Sequence, residues 1–188
     1  MRCSLPSVSH PAAAACLPLL LCLLVMMLTA GCELLGPQYD SVPAPRPLRE
    51  EAYRTAEQYI GMEYEWGGQD HYSVKGIDCS GLVVGCYREA TEDTRYILPF
   101  SDAAVSGIHQ QYSVPAEQPA RGDLVLMGGP QEDTVSHIAV LDAVEAGTVY
   151  FIDASTSGDF DGVEHRSYAL DDPRIKDFAR LLLLKRRN

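Results

Sequence analysis

Gly76-Ile77-Asp78-Cys79-Ser80-Gly81-Leu82-Val83 sets a helix-capping aspartate directly before a cysteine and an apolar helical pattern directly after it. Leu82, Val83, Cys86 and Tyr87 fall on one side of a helix that begins at Cys79 and runs to Ala90. Cys79 therefore occupies the first turn, where backbone N–H groups and the positive end of the helix dipole favour thiolate over thiol. Ser80 and Gly81 are small, which leaves the sulfur accessible and lets the backbone approach a substrate carbonyl. Cys86, two turns further on among apolar neighbours, reads as a small buried hydrophobe. A disulfide between the two along one helix is out of reach.

Upstream, Ala52, Tyr53, Ala56 and Ile60 recur at helical spacing over Leu48 to Ile60, with Gly61 ready to stop the turn. Downstream, Asp102 to Gln110 predicts a short third helix, after which the pattern changes. Asp123 to Met127, His137 to Leu141, Thr148 to Asp153 and Arg180 to Leu184 are short apolar runs separated by turn residues, which are strand signals. Helices first and an antiparallel sheet afterwards predict an α+β domain.

His137 is the one histidine in a strand pattern, where a sheet would hold an imidazole rigidly, as a general base requires. His71, His109 and His165 sit in polar, loop-like surroundings and read as surface residues. A base needs an orienting partner, and Asp153 is the candidate. The strands bearing His137 and Asp153 read as a hairpin turning between Val144 and Gly147. A turn centred on Glu145 puts the two residues directly opposite each other, and one centred on Ala146 makes them diagonal neighbours on one face. A register shifted by one residue sends them to opposite faces, and Asp153 then loses its role.

The first 31 residues carry Arg2, no acid, and an apolar run from Ala12 to Ala30. That is the layout of an export signal. Leu28-Thr29-Ala30-Gly31-Cys32 resembles a lipobox, in which a cysteine is acylated and becomes the new amino terminus. Residues 1–31 are thus expected to be a lipoprotein signal peptide, with Cys32 the lipidation site. Residues 32–47, with Pro37, Pro43, Pro45 and Pro47, read as an extended tether, and residues 48–188 as one catalytic domain. The processed chain keeps 14 basic against 26 acidic residues, a net charge of −12, which makes nucleic acid a poor partner. Two remaining cysteines without CxxC or paired histidine spacing do not suggest a metal, and no cofactor is expected.

Five motifs follow one another along the chain: Tyr64-Glu65-Trp66-Gly67-Gly68, Gly76 to Val83, Arg121-Gly122-Asp123-Leu124-Val125, Ser136-His137-Ile138-Ala139-Val140, and Phe151-Ile152-Asp153-Ala154-Ser155-Thr156. Their order and spacing resemble those of NlpC/P60 cysteine peptidases over roughly residues 50 to 185. The resemblance implies a papain-like fold with N-terminal helices packed on a central antiparallel sheet, Cys79 as nucleophile, His137 as base and Asp153 as third polar residue. It further implies that Tyr64 lies beside the nucleophile and helps polarise the scissile carbonyl with the Cys79 N–H. The implied substrate is a peptidoglycan stem peptide, cut between D-glutamate and a diamino acid, by a monomer lipid-anchored in the cell envelope. Asp78 and Ser80 are candidates for gripping a substrate amine, although Asp78 could equally be a helix cap alone. The third position is often histidine in this family, and Leu98-Pro99-Phe100 stands where the family often has Leu-Pro-Arg. An acyltransferase or amidase using the same Cys-His pair, or an idle scaffolding lipoprotein, are the rival functions.

Overall fold

Helix α2, Cys79–Thr91, is the hinge of the architecture. Leu82, Val83, Val84, Cys86 and Tyr87 are all without exposure, the mark of a helix enclosed on several sides rather than laid on a surface. Asp78 caps it, its side chain accepting the Gly81 N–H at 2.7 Å. The computed structural model describes residues 36–69, 76–157 and 161–187; the expected signal peptide, Cys32 and His71 lie outside them. Helix α1, Arg46–Tyr59, packs against α2, and a third short helix, α3, covers Val105–Gln111. Against α2 lie strands of a large antiparallel sheet, so the domain is α+β.

The sheet runs in the order β1-β8-β4-β5-β6-β7. Its members are β1 Tyr39–Pro43, β4 Leu124–Met127, β5 His137–Glu145, β6 Thr148–Ser155, β7 Gly162–Ala169 and β8 Ile175–Arg186, while the short β2, Tyr96–Ile97, and β3, Ser113–Pro115, also pair with β8. The main core joins Leu82, Val83, Cys86 and Tyr87 of α2 to Leu124, Leu126, Ile138, Val140 and Ile152 of the strands. A smaller cluster, with Val125, Met127, Ala139, Leu141, Val149 and Phe151, uses the alternate residues of the same strands. Truncating a fully buried leucine such as Leu82 to alanine should cost about 2–5 kcal/mol.

Two sequence expectations need correction here. The segment expected to be a tether is part of the domain from Tyr39 onward: β1 pairs with β8 from Tyr39↔Arg186 to Pro43↔Leu182, and α1 already starts at Arg46. Prolines masked the strand, yet a proline is tolerated on a sheet edge, where β1 sits. His109 and His165 are not in loops: the first is in α3 and the second in β7.

The His137–Asp153 register is settled by a turn and a bulge together. Ala146 and Gly147 both have positive φ, 49° and 78°, and form the tight two-residue connection suited to a twisted hairpin. That turn pairs Glu145↔Thr148, Val144↔Val149 and Ala143↔Tyr150, a register that would send His137 and Asp153 to opposite faces if continued. The register shifts between Leu141 and Ala143, leaving Asp142 as the extra residue, and pairing resumes as Leu141↔Phe151 and Val140↔Ile152. Carried to the strand ends, this makes His137 and Asp153 diagonal neighbours on one face.

Candidate active site

Cys79, at the first position of α2, is buried but lines an open cavity of about 400 Å³ together with Tyr64, Trp66, Asp78, Ser80, Asp102 and Ser136. The helix start is locked to the preceding loop. Asp78 Oδ1 accepts from the Gly81 N–H and the Ser80 hydroxyl, and Oδ2 accepts from the Gly67 N–H at 2.9 Å. The Asp78 side chain therefore caps the helix and pins the Trp66-Gly67 loop while also bordering the cavity. Gly81 serves a purpose other than access to the sulfur: a Cβ there would meet the Gly68 carbonyl oxygen at 1.9 Å, so the helix start packs backbone to backbone against that loop.

His137 opens β5 and Asp153 lies near the end of β6. His137 Nε2 is 2.6 Å from Asp153 Oδ2, the two side chains being 25% and 3% exposed. With Nε2 so engaged, Nδ1 is the ring nitrogen left for the sulfur. Burial works against a charge on the ring, but hydrogen bonds to Asp153 and Cys79 and the charges of both outweigh it, holding the His137 pKa up at about 9 against an ordinary 6.5. The structure thus brings Cys79, His137 and Asp153 into one chain of contacts, with Asp153 a buried carboxylate rather than a solvated strand end.

Tyr64 borders the same cavity. Burial first, then the charges of Cys79 and Asp78, raise its phenol pKa, so the hydroxyl stays protonated and able to donate. Ser80 Oγ donates to Asp78 and also lines the cavity. Phe100, where an arginine is common in the resembled family, packs its ring on Tyr112 with centroids 4.5 Å apart. Cys79 and Cys86 are both free; burial, with the charge of Glu89, pushes the Cys86 thiol well up. Among the described residues no group of three or more His, Cys, Asp and Glu is placed to hold a metal ion, and no helix is long and apolar enough to cross a membrane.

Three features escaped the sequence. Trp66 is 86% exposed at the cavity rim, Asp102 borders the cavity from just before α3, and Arg166 of β7 donates to Asp153 Oδ1 at 2.7 Å. The last would have followed from a β6–β7 hairpin register, had Gly162–Ala169 been recognised as a strand.

Several solved structures are similar to this chain. One, a lipoprotein-like NLP/P60 family protein from Staphylococcus aureus Mu50, is 21% identical with a TM-score of 0.48, over 76% of this chain and 44% of that one. Another, Ly7917, also solved with the hydrolyzing product of MDP, is 11% identical with a TM-score of 0.47, over 73% of this chain and 62% of that one. The present chain thus spans less than two thirds of either. No curated protein matches it. The sequence matches the NlpC/P60 family over residues 61–171, which is more than half of the chain and contains Cys79, His137 and Asp153, and the chain belongs to that family.

Proposed function

We propose that the chain is a cysteine endopeptidase that hydrolyses peptidoglycan stem peptides, at the bond between D-glutamate and a diamino acid. NlpC/P60 proteins are generally cysteine peptidases or hydrolases, and the observation that carries the reading here is the chain of contacts from Cys79, which lines a cavity, through half-buried His137 to buried Asp153. The Cys79 thiolate attacks the amide carbonyl carbon, forming a C–S bond while the carbonyl electron pair moves onto oxygen. Tyr64 and the Cys79 N–H stabilise that oxyanion. His137, protonated in the resting ion pair, gives its proton to the leaving nitrogen as the C–N bond breaks, leaving a thioester. The neutral imidazole then takes a proton from water, whose oxygen displaces the sulfur and releases the acid. Asp153 orients the ring and stabilises the imidazolium at both stages.

The cavity lining includes Asp78 and Asp102 and, among the described residues, no basic side chain; this favours substrates that bear a free amine. The export signal and Cys32 support an anchored protein in the cell envelope, its domain facing the periplasm. The test is digestion of purified sacculi with the parent and with C79A, followed by mass analysis. Soluble muropeptides cut at the D-glutamyl bond, from the parent alone, are the expected result. An intact wall, with acyl transfer to an added amine, would replace the hydrolase by a transferase.

A further inference from the structure

We propose that Arg166, held in place by Glu164, is the positioning residue that keeps Asp153 aimed at His137; the proposal deepens the peptidase reading above and rests on it. A buried carboxylate retains its charge only when its oxygens are paired, and both oxygens of Asp153 are: Oδ2 with His137 Nε2 at 2.6 Å and Oδ1 with Arg166 Nη1 at 2.7 Å. Register places the donor. Asp153 lies opposite Glu164, and Phe151 opposite Arg166, so Arg166 is the diagonal neighbour of Asp153 on the same face.

The guanidinium is itself fixed. Its Nε and Nη2 both donate to Glu164 Oε2, at 3.1 and 2.7 Å. An unconstrained arginine tends to grip a carboxylate through two parallel bonds; on Asp153 that grip would occupy both oxygens and compete with His137 for Oδ2. Glu164 engages the side edge of the guanidinium, so one N–H is presented to Oδ1 and Oδ2 is left to the imidazole. The carboxylate is then unable to rotate away while His137 gains and loses its proton, and the ring keeps Nδ1 toward the sulfur.

The experiment compares full-length parent, R166M, R166K, D153A and D153A/R166M by two readouts. One is kcat and KM on a stem peptide; the other is the rate at which iodoacetamide labels Cys79, followed by peptide mass analysis. R166M is expected to lower kcat roughly 100-fold, the scale of misplacing a catalytic group by an ångström, with KM little changed. R166K, which keeps a charged donor without the second edge, should recover part of the loss. Adding R166M to D153A should cost nothing further, because Arg166 acts only through that carboxylate. Labelling should follow the same order and needs no substrate: if the parent leaves stem peptides intact the peptidase reading falls, while labelling still decides the role of Arg166. Parental behaviour of R166M, losses that multiply in the double variant, or a folded R166K without recovery overturns the proposal. Should R166M fail to fold, R166K and E164Q carry the comparison: slower labelling in both supports the role, and parental rates in both overturn it.

Discussion

Two sets of side chains have the same composition, one carried on β5, β6 and β7 and the other on β5, β7 and the turn before β4. Asp153 is bonded to His137 and Arg166, and Asp142 to His165 and Arg121. The His–Asp distances are 2.6 and 3.0 Å. His165 and Arg166 are even consecutive in β7, so they point to opposite faces and each serves a different aspartate. The sets differ in surroundings. The His165 and Asp142 side chains are 40% and 17% exposed, and the Arg121 Nε and Nη2 both go to Asp142 Oδ1, the guanidinium lying over the Tyr53 ring. His137 and Asp153 are more deeply enclosed and lead to Cys79 at a helix start. Under the proposed mechanism only the inner set is expected to act in catalysis, although each set brings a histidine, an aspartate and an arginine into hydrogen-bond contact. Burial and the sulfur make the difference.

The largest effect should come from removing that sulfur: C79A is expected to lower peptide hydrolysis by about 10⁴-fold or more, measured as kcat/KM, with the fold retained. D153N keeps the shape of the pair and loses its charge; roughly 10²- to 10⁴-fold lower kcat is expected, as for the aspartate of a hydrolase triad. The matching change in the outer set, D142N or H165Q, should leave kcat within about twofold of the parent and stability within about 1 kcal/mol, since the pair is partly screened by solvent. A loss as large as that of D153N would remove the distinction between the two sets.

The inner set also carries a pH dependence. The folded chain holds the His137 pKa at about 9, above the ordinary 6.5 of an unfolded chain. The stabilisation linked to this ring is then complete below about pH 6.5 and is lost as pH rises through about 9. Hydrolysis, which needs the ring proton for the leaving amine, should decline over that same upper limb. A pH profile of kcat/KM and of denaturant midpoints checks both, and H137Q should flatten the stability profile.

Much of this was legible before the structure. Asp78-Cys79-Ser80-Gly81 announced a capped helix because capping is local chemistry, and α2 begins where that motif put it. His137 and Asp153 stood in two strongly apolar runs, which became β5 and β6. What stayed hidden depended on distant partners. The turn alone gives the wrong face for Asp153, and the correction comes from a bulge at Asp142, a residue tied to Arg121 and His165 rather than to its sequence neighbours. Strand β7 carries Glu164, His165 and Arg166 in its middle, at the edge of the sheet, and has no apolar run to reveal it. Arg166 was missed with it.

The proposed catalysis depends on a sulfur and an imidazole sharing a proton at the start of α2. Iodoacetamide labelling of Cys79 at about pH 6, compared between the parent and H137A, tests this without any substrate, because only a thiolate reacts quickly there. Labelling in the parent should be at least about tenfold faster than in H137A, with Cys86 unlabelled in both folded proteins. Equal rates at Cys79 in the two proteins would contradict the ion pair.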